Sequence, residues 1–371
     1  MWKKRWRNLS DKGGVHPMIP HPLFADIGVG DLASATVARR VAGEMASVLG
    51  FSRNRRAEAV LIASELAHNH VMHHTVQGRI RISGFFVSAI PCLAIASLDQ
   101  GPGLHPETEA FKRKHFAEGG LGAGLGTVLR LSDRLDIFSR AAGKNGSCPY
   151  ATIISALLGP DREISRQINR IGGSLAVLLQ PRSDSGWCGD GFSAWQDERY
   201  LRLTLVDSLG LGKGAAEISR LVFEELNKHP LLWPPAQLLE ELEFALAGTH
   251  GAAVHVLLFD QVKKILSSAG VGNISTLLDV DGRQIREGDP PGIVGHGKWR
   301  KIAGQDYGVR SGVRVLMHTD GQNRIADLTA GLTLSPPVAA QILFDPVTPQ
   351  RDDATLVTWQ WPEKSTNPCI S

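Results

Sequence analysis

The sequence predicts two α+β domains in one chain of 371 residues. Three observations lead there. The length exceeds that of one average core, so two units of ordinary size are the natural division. The first half reads helix, helix, strand, strand, a glycine-rich stretch, then helix, strand, strand; the second half is rich in strands with helices between, the pattern of an α+β sandwich. A polar and charged stretch, Gly159 to Gly173, separates them. The expected division is 22–158 for the first domain, 159–173 for a linker and 174–361 for the second, with tails at 1–21 and 362–371.

From Ala33 to Leu49 small and apolar residues recur at helical spacing, and Gly50 supplies the stop expected just past a helix. A second helix is expected over 54–75, with Ala59, Ile62, Ala63, Leu66 and Val71 mostly on one face. Residues 79–86 and 92–98 read as strands, the latter a continuous apolar run of the kind found at buried positions. Glycines crowd 101–126, helical spacing resumes from Thr127 to Leu135, and strands at 135–140 and 150–156 flank a turn at 143–147. In the second half, strands are expected at 174–179, 201–206, 252–259, 274–280, 313–318 and 355–360, with helices at 214–227 and 235–247.

Hydrophobic residues make up 43% and charged residues 21%, which fits a globular protein and excludes extensive disorder. A formal charge of +3 gives no global field calling for nucleic acid or an anionic membrane. The basic, tryptophan-bearing start at 1–7 reads as a solvated tail. It lacks the apolar core of a secretory signal, and no stretch reaches the roughly 18–20 apolar residues of a membrane span, so a cytoplasmic location is expected. Cys92, Cys148, Cys188 and Cys369 show no Cys-x-x-Cys spacing and read as reduced thiols.

Glu65 and Asn69 are four apart on the expected second helix and share a face. Asn offers a neutral oxygen to a hard cation, and Glu can accept the proton of a hydroxyl nucleophile. Asp99 ends the buried strand ahead of Gly101 and Gly103, where its carboxylate could accept a hydrogen bond from an exocyclic amine. Glycines 119, 120, 122, 124 and 126 then lead into a helix, a general way to hold phosphates. On the same helix His70 and His74 are spaced like a two-histidine metal site, but no third ligand is evident, and these read as ordinary exposed histidines.

In this order, Glu-Leu-x-x-Asn, Asp-x-Gly-x-Gly and Gly-Leu-Gly-x-Gly-Leu resemble the N, first and second glycine boxes of the GHKL ATPases, in particular their RsbT-type anti-sigma-factor serine/threonine kinases. The resemblance covers about 22–156 and implies a GHKL α/β sandwich binding ATP with Mg2+. It implies Glu65 as catalytic base, Asn69 as magnesium ligand, Asp99 as adenine reader, and Gly101, Gly103, Gly122 and Gly124 as nucleotide-loop residues. The chain departs from that pattern at Gly146-Ser147-Cys148, where the family commonly has Gly-Thr.

In the second half, Asp190, Asp207, Asp320 and the Asp352-Asp353 pair each stand at or near the edge of an expected strand. Aspartates gathered from several strand ends repel one another unless cations neutralise them, and oxygen ligands select magnesium or manganese. Their order resembles the metal-dependent PPM phosphatases in their SpoIIE-like, RsbX-type branch, over about 174–360, with Gly248-Thr249-His250-Gly251 and Gly270-Val271-Gly272-Asn273 as further landmarks. The resemblance implies an α-β-β-α sandwich holding two Mn2+ or Mg2+ through Asp190, Asp207, Asp320 and Asp352, with Asp353 as a second-choice ligand or a supporting residue. Ser208 stands where that family usually has glycine. Together the two resemblances imply a protein that phosphorylates and dephosphorylates serine or threonine of a STAS-domain anti-sigma-factor antagonist or stressosome-type protein. A nucleotide-sensing first half, or a chain that binds a sigma factor, are the rival expectations.

Overall fold

A computed structural model of the chain describes residues 23–104, 123–140, 149–162, 173–182, 187–297, 302–323, 325, 334–347, 350 and 352–362. It is a mixed α+β protein. In chain order the first half carries β1 (Phe24–Gly28), α1 (Leu32–Val48), α2 (Arg53–Met72), β2 (Arg79–Val87), β3 (Ile90–Asp99), α3 (Ala123–Leu131), β4 (Arg134–Ser139) and β5 (Thr152–Leu158). The second half carries β6 (Ser174–Gln180), β7 (Asp190–Gln196), β8 (Tyr200–Ser208), α4 (Gly212–Leu226), α5 (Pro235–Ala245) and β9 (Ala252–Asp260). It continues through β10 (Ile265–Val271), β11 (Ser275–Val280), β12 (Arg283–Arg286), β13 (Gln305–Gly308), β14 (Val313–His318), α6 (Pro336–Leu343) and β15 (Ala354–Trp361).

Local chemistry explains the helix ends. Asp31 caps α1 by accepting the Ser34 N–H at 2.7 Å while the Ser34 hydroxyl reaches back to the Asp31 backbone N–H, a reciprocal capping box. Ser52 caps α2, and its C-terminal end at Met72 precedes His74, which sits at φ 44. The helix thus stops before the expected residue 75. Helix α3 begins four residues earlier than the expected start at Thr127, because Gly124 and Gly126 are drawn into its first turns.

Strands from both halves form one ten-stranded sheet in the order β13-β10-β9-β8-β7-β2-β3-β5-β4, with β1 paired to β2. The halves meet where β2 runs parallel to β7 at Val87 and Ala194. A second sheet, β12-β11-β14-β15-β6, packs on the second-half part of the first. Phe192, Leu203, Val177, Met317 and Trp359 fill the space between them. Helices α4 and α5 cover the outer face of one sheet and α6 the outer face of the other, giving helix, sheet, sheet, helix.

Strand β3 is buried on both faces. Its odd residues Leu93 and Ile95 pack with α1, α2 and α3, whereas its even residues Ala96 and Leu98, with Phe138 and Ile153, meet Leu334, Val338 and Ala339 at α6 of the second half. Arg81 of β2 crosses the same seam. Its guanidinium donates to Gln341 Oε1 at 3.0 Å, is ion-paired with Asp26 at 3.0 Å and lies over the Phe344 ring. The chain leaves the first half through an anchored point: buried Arg55 donates to the Gly159 and Leu131 carbonyls at 2.9 and 2.8 Å and pairs with Glu58 and Asp133. Most of the expected linker, 163–172, lies outside the described residues, as do the basic start, the turn at 143–147, Cys148 and Cys369. Cys92 and Cys188 are free thiols. Among the described residues no helix is long and apolar enough to cross a membrane.

A buried charge cluster closes the edge of the second half. His255 has Asp289 Oδ2 at 2.8 Å from Nδ1 and Glu287 Oε2 at 3.0 Å from Nε2, and the Tyr307 hydroxyl donates to Glu287 at 2.8 Å. Burial pushes the imidazole pKa down, but the hydrogen bonds and charges of Asp289 and Glu287 outweigh it and raise the pKa to about 9.

Two predictions arise from this architecture. Because the folded imidazole holds its proton above the ordinary pKa near 6.5, its contribution to stability is complete below about pH 6.5 and is lost as pH rises to about 9. Denaturant midpoints of the wild type minus those of His255→Gln should therefore shrink across that window; a constant difference would show that His255 is not charged in the fold. Leu98, fully buried at the seam, should cost about 2–5 kcal/mol when cut to Ala. The loss should appear as one shifted unfolding transition of the whole chain, and two transitions of which only one moves would contradict a shared core.

Candidate functional site

On α2, Glu65 and Asn69 stand one turn apart, both half-buried, and α3 crosses over them. Gly124 is the residue at the crossing. A Cβ built there would lie 2.6 Å from Glu65 Oε2 and 3.7 Å from Asn69 Oδ1, so the glycine provides room for the carboxylate. The sequence places Gly124 in a nucleotide loop; it lies instead within helix α3, where its missing side chain matters more than its flexibility. Gly122 lies outside the described residues.

His70, next to Asn69, corrects the expectation of ordinary exposed histidines. It is buried, with Nδ1 2.7 Å from Thr75 Oγ1 and Nε2 3.0 Å from Ser97 Oγ on β3. Burial pushes its pKa down, with the charge of Asp99 acting in the opposite direction. His68, His73 and His74 are exposed, and His70 does not turn toward His74. The imidazole instead pins α2 to the strand that ends in Asp99.

Asp99 is the last residue of β3 and lies opposite Thr152, the first of β5. Its Oδ1 accepts the Gly101 N–H at 2.8 Å, and the Thr152 side chain hydrogen-bonds to it. Burial raises its pKa, partly offset by the Gly101 N–H. Gly103 sits at φ +85, and a Cβ there would come within 2.2 Å of the Arg140 carbonyl oxygen. No other residue type fits that turn. Thr152 is the residue the sequence did not single out; the pattern directs attention to Ser147, but strand pairing delivers Thr152 to the aspartate.

The second cluster is built on a sheet register. Strands β7 and β8 are antiparallel, and Asp190 lies directly opposite Asp207. Asp190 Oδ2 accepts the hydroxyls of Thr319 and Thr355, each at 2.7 Å, and the Thr355 N–H donates to Thr319 Oγ1 at 3.0 Å. Those threonines come from the other sheet, so one carboxylate ties the two sheets together. Asp353 accepts the backbone N–H groups of Arg182 and Gly189, both at 2.6 Å, one on each carboxylate oxygen. Asp352 Oδ1 accepts the Asp353 N–H at 2.8 Å, and Asp320 Oδ2 accepts the Asn273 amide at 2.8 Å. A Cβ on Gly321 would lie 1.9 Å from the Asp353 carbonyl oxygen, which shows how closely the two acidic loops approach.

Asp207 has no hydrogen-bond donor among the described residues. Burial, then the charges of Asp320, Asp352 and Asp353, push its pKa up to about 7. Burial also holds Asp190 well above the usual carboxylate range, reinforced by Asp207 and Asp353 and opposed by the Thr319 and Thr355 hydroxyls, and it raises Asp320 and Asp353 as well. Among the described residues no group of three His, Cys, Asp or Glu side chains is arranged to hold a metal ion. The donor chemistry nevertheless fits a hard divalent cation: every group is a carboxylate, they repel one another, and Asp207 is turned to no protein donor. Asp353 fits that role least, since both its oxygens are engaged by backbone. Ser208 does not strain its position. Its hydroxyl lies 2.8 Å from the Ser219 hydroxyl of α4, and the left-handed turn is carried by Gly210 and Gly212 at φ +102 and +68.

Comparison with known proteins follows the two halves. No family model matches the chain. It is 34% identical over 104 residues to the serine/threonine-protein kinase RsbT of Bacillus subtilis (strain 168), spanning 28% of this chain and 77% of that one, in the N-terminal region. Among solved structures it is similar to RsbX in complex with magnesium, at 23% identity over 50% of this chain and 94% of that one, TM-score 0.47. It is also similar to the SiaA PP2C domain of Pseudomonas aeruginosa, at 19% identity over 53% and 89%, TM-score 0.43. A third is the PP2C phosphatase domain of SpoIIE from Bacillus subtilis, at 10% identity over 72% and 79%, TM-score 0.39. Through its N-terminal region the chain belongs to the family of the serine/threonine-protein kinase RsbT.

Proposed function

We propose that the chain is a cytoplasmic partner-switching regulator whose first half phosphorylates a serine or threonine of a STAS-domain protein with ATP and whose second half removes such a phosphate. The carrying observation is Asp207, a half-buried carboxylate without a hydrogen-bond donor among the described residues, set against three further aspartates. Such a cluster is costly unless a cation neutralises it.

The helices stacked on one face of β2, β3, β5 and β4 support a GHKL reading of the first half, and the helix, sheet, sheet, helix layers support a PPM reading of the second. In the first half, Glu65 takes the hydroxyl proton as the oxygen attacks the γ-phosphorus of ATP and ADP leaves. Asn69 would hold Mg2+ through its neutral oxygen. Asp99, fixed by Gly101 and Thr152, accepts the exocyclic amine of adenine. In the second half, Asp190, Asp207, Asp320 and Asp352 would hold two Mn2+ or Mg2+. When bound, such ions supply an acidic water and neutralise phosphate oxygens. Thr319 and Thr355 orient Asp190, and Asp353 fixes the loop that presents Asp352. A STAS partner, of the antagonist or stressosome type, is the substrate to which the RsbT kinship points.

Two experiments bear on this. Glu65→Gln should lower phosphotransfer to a STAS substrate by about 10²–10⁴-fold while leaving ATP affinity intact; a variant that still transfers phosphate at the wild-type rate removes Glu65 from the role. Asp207→Asn should nearly abolish manganese-dependent phosphate release from the phosphorylated partner, and Thr319→Val should raise the manganese needed by roughly 10–100-fold. Undiminished turnover in chelator by Asp207→Asn would refute metal-dependent hydrolysis and leave the second half as a binding unit.

A further inference from the structure

Helix α6 belongs in sequence to the second half, yet it is buried from two sides. Ala340 faces the second-half sheet with Leu178 and Leu356, whereas Val338 and Ala339 face Ala96, Leu98 and Ile153 of the first half. Leu98 immediately precedes Asp99, and Ile153 immediately follows Thr152. The helix therefore supports the two strand ends that form the first site.

The other end of α6 is tied to the second site. Gln322 and Asn323 follow Asp320-Gly321 directly. Gln322 Nε2 donates to the Leu343 carbonyl at 3.0 Å, and its Oε1 accepts the Asp345 N–H at 2.9 Å. Asn323 N–H donates to the Asp345 carbonyl at 2.9 Å and Val347 N–H to the Gly321 carbonyl at 2.8 Å. A displacement of α6 along its axis would drag this loop with it.

The packing around α6 is incomplete on two sides. A cavity of about 30 Å³ lies between α6 and the second-half sheet, lined by Leu316, Ala339, Thr358 and Trp359 among others. Another of about 20 Å³ lies at the seam, lined by Ser83, Ser155, Val177 and Gln341 among others. Each can hold about one water. Packed interfaces shift between discrete arrangements rather than deforming smoothly, and the water-sized gaps on two flanks of α6 mark where its packing is least complete.

We infer that α6 couples the two sites: an adenine nucleotide seated at Asp99 changes the affinity of the aspartate cluster for its divalent cation, and the cation changes the affinity for nucleotide by the same factor. This rests on the two-site reading above. Reciprocity is thermodynamically required once the sites share one two-state element.

The test uses the full chain, p-nitrophenyl phosphate as substrate and manganese titrated with and without saturating ADP. The Asp99→Asn protein, used once calorimetry shows that it no longer binds ADP, measures the shift caused by chelation of manganese by free ADP. Beyond that correction, ADP should move the half-saturating manganese concentration of the wild type by about fivefold or more. Val338→Ala and Gln341→Leu alter α6 away from both sites; they should hydrolyse the substrate and bind ADP as the wild type does but show a reduced shift. A wild-type shift equal to that of Asp99→Asn, with calorimetric ADP binding and manganese-dependent turnover both intact, overturns the coupling and leaves the proposed function standing. A full shift retained by both α6 variants overturns α6 as the carrier. Absence of ADP binding or of manganese-dependent turnover sinks the proposed function and the coupling with it.

Discussion

Strand β3 has no face left for water, and much of the molecule is arranged around that fact. A strand buried on one side needs one layer of helices. A strand buried on both sides, as Leu93 and Ile95 on one face and Ala96 and Leu98 on the other require, needs a second covering element. Among the described residues the first half supplies only α1, α2 and α3, all on the same face. The second half supplies the rest through α6, and Arg81, reaching from β2 to Gln341, fixes the register of that contact with directional bonds rather than with area alone.

The two sites manage charge in different ways. At Asp99 a single carboxylate is stabilised by a backbone N–H and a threonine, so burial raises its pKa without isolating it. The aspartates of the second half instead divide the available donors unequally. Asp190 receives two hydroxyls and Asp353 two amides, while Asp207 receives no donor among the described residues and carries the cost of burial and of its charged neighbours. That asymmetry leaves Asp207 as the carboxylate of the cluster with the least support from the protein's own donors.

Much of this was legible in sequence, and the rest was not for identifiable reasons. Helices α1 and α2 and strand β3 announced themselves through periodicity and a continuous apolar run. Helix α3 was read four residues late because glycines disguise its first turn. Strand β7 escaped notice since Phe192 and Ala194 are its main buried apolar residues, and α6 because it is short and buried from two sides, leaving no polar face to set a period. At the sites, helical spacing places Glu65 beside Asn69 without any fold. The opposition of Asp190 and Asp207 depends on strand register, and the partnership of Asp99 with Thr152 on pairing between distant strands. Neither can be read from a linear pattern. His70 likewise looks like its exposed neighbours until the strand carrying Ser97 is laid against it.

The ten-stranded sheet has one further consequence. Halves that share a sheet are made and degraded together, so their ratio in any cell is one to one. Regulatory systems that keep opposing reactions on separate polypeptides can tune the balance by how much of each is synthesised. On the proposed function, gene expression would set only the total amount, and the balance between the two ends of the sheet would be adjusted by what occupies them at a given moment.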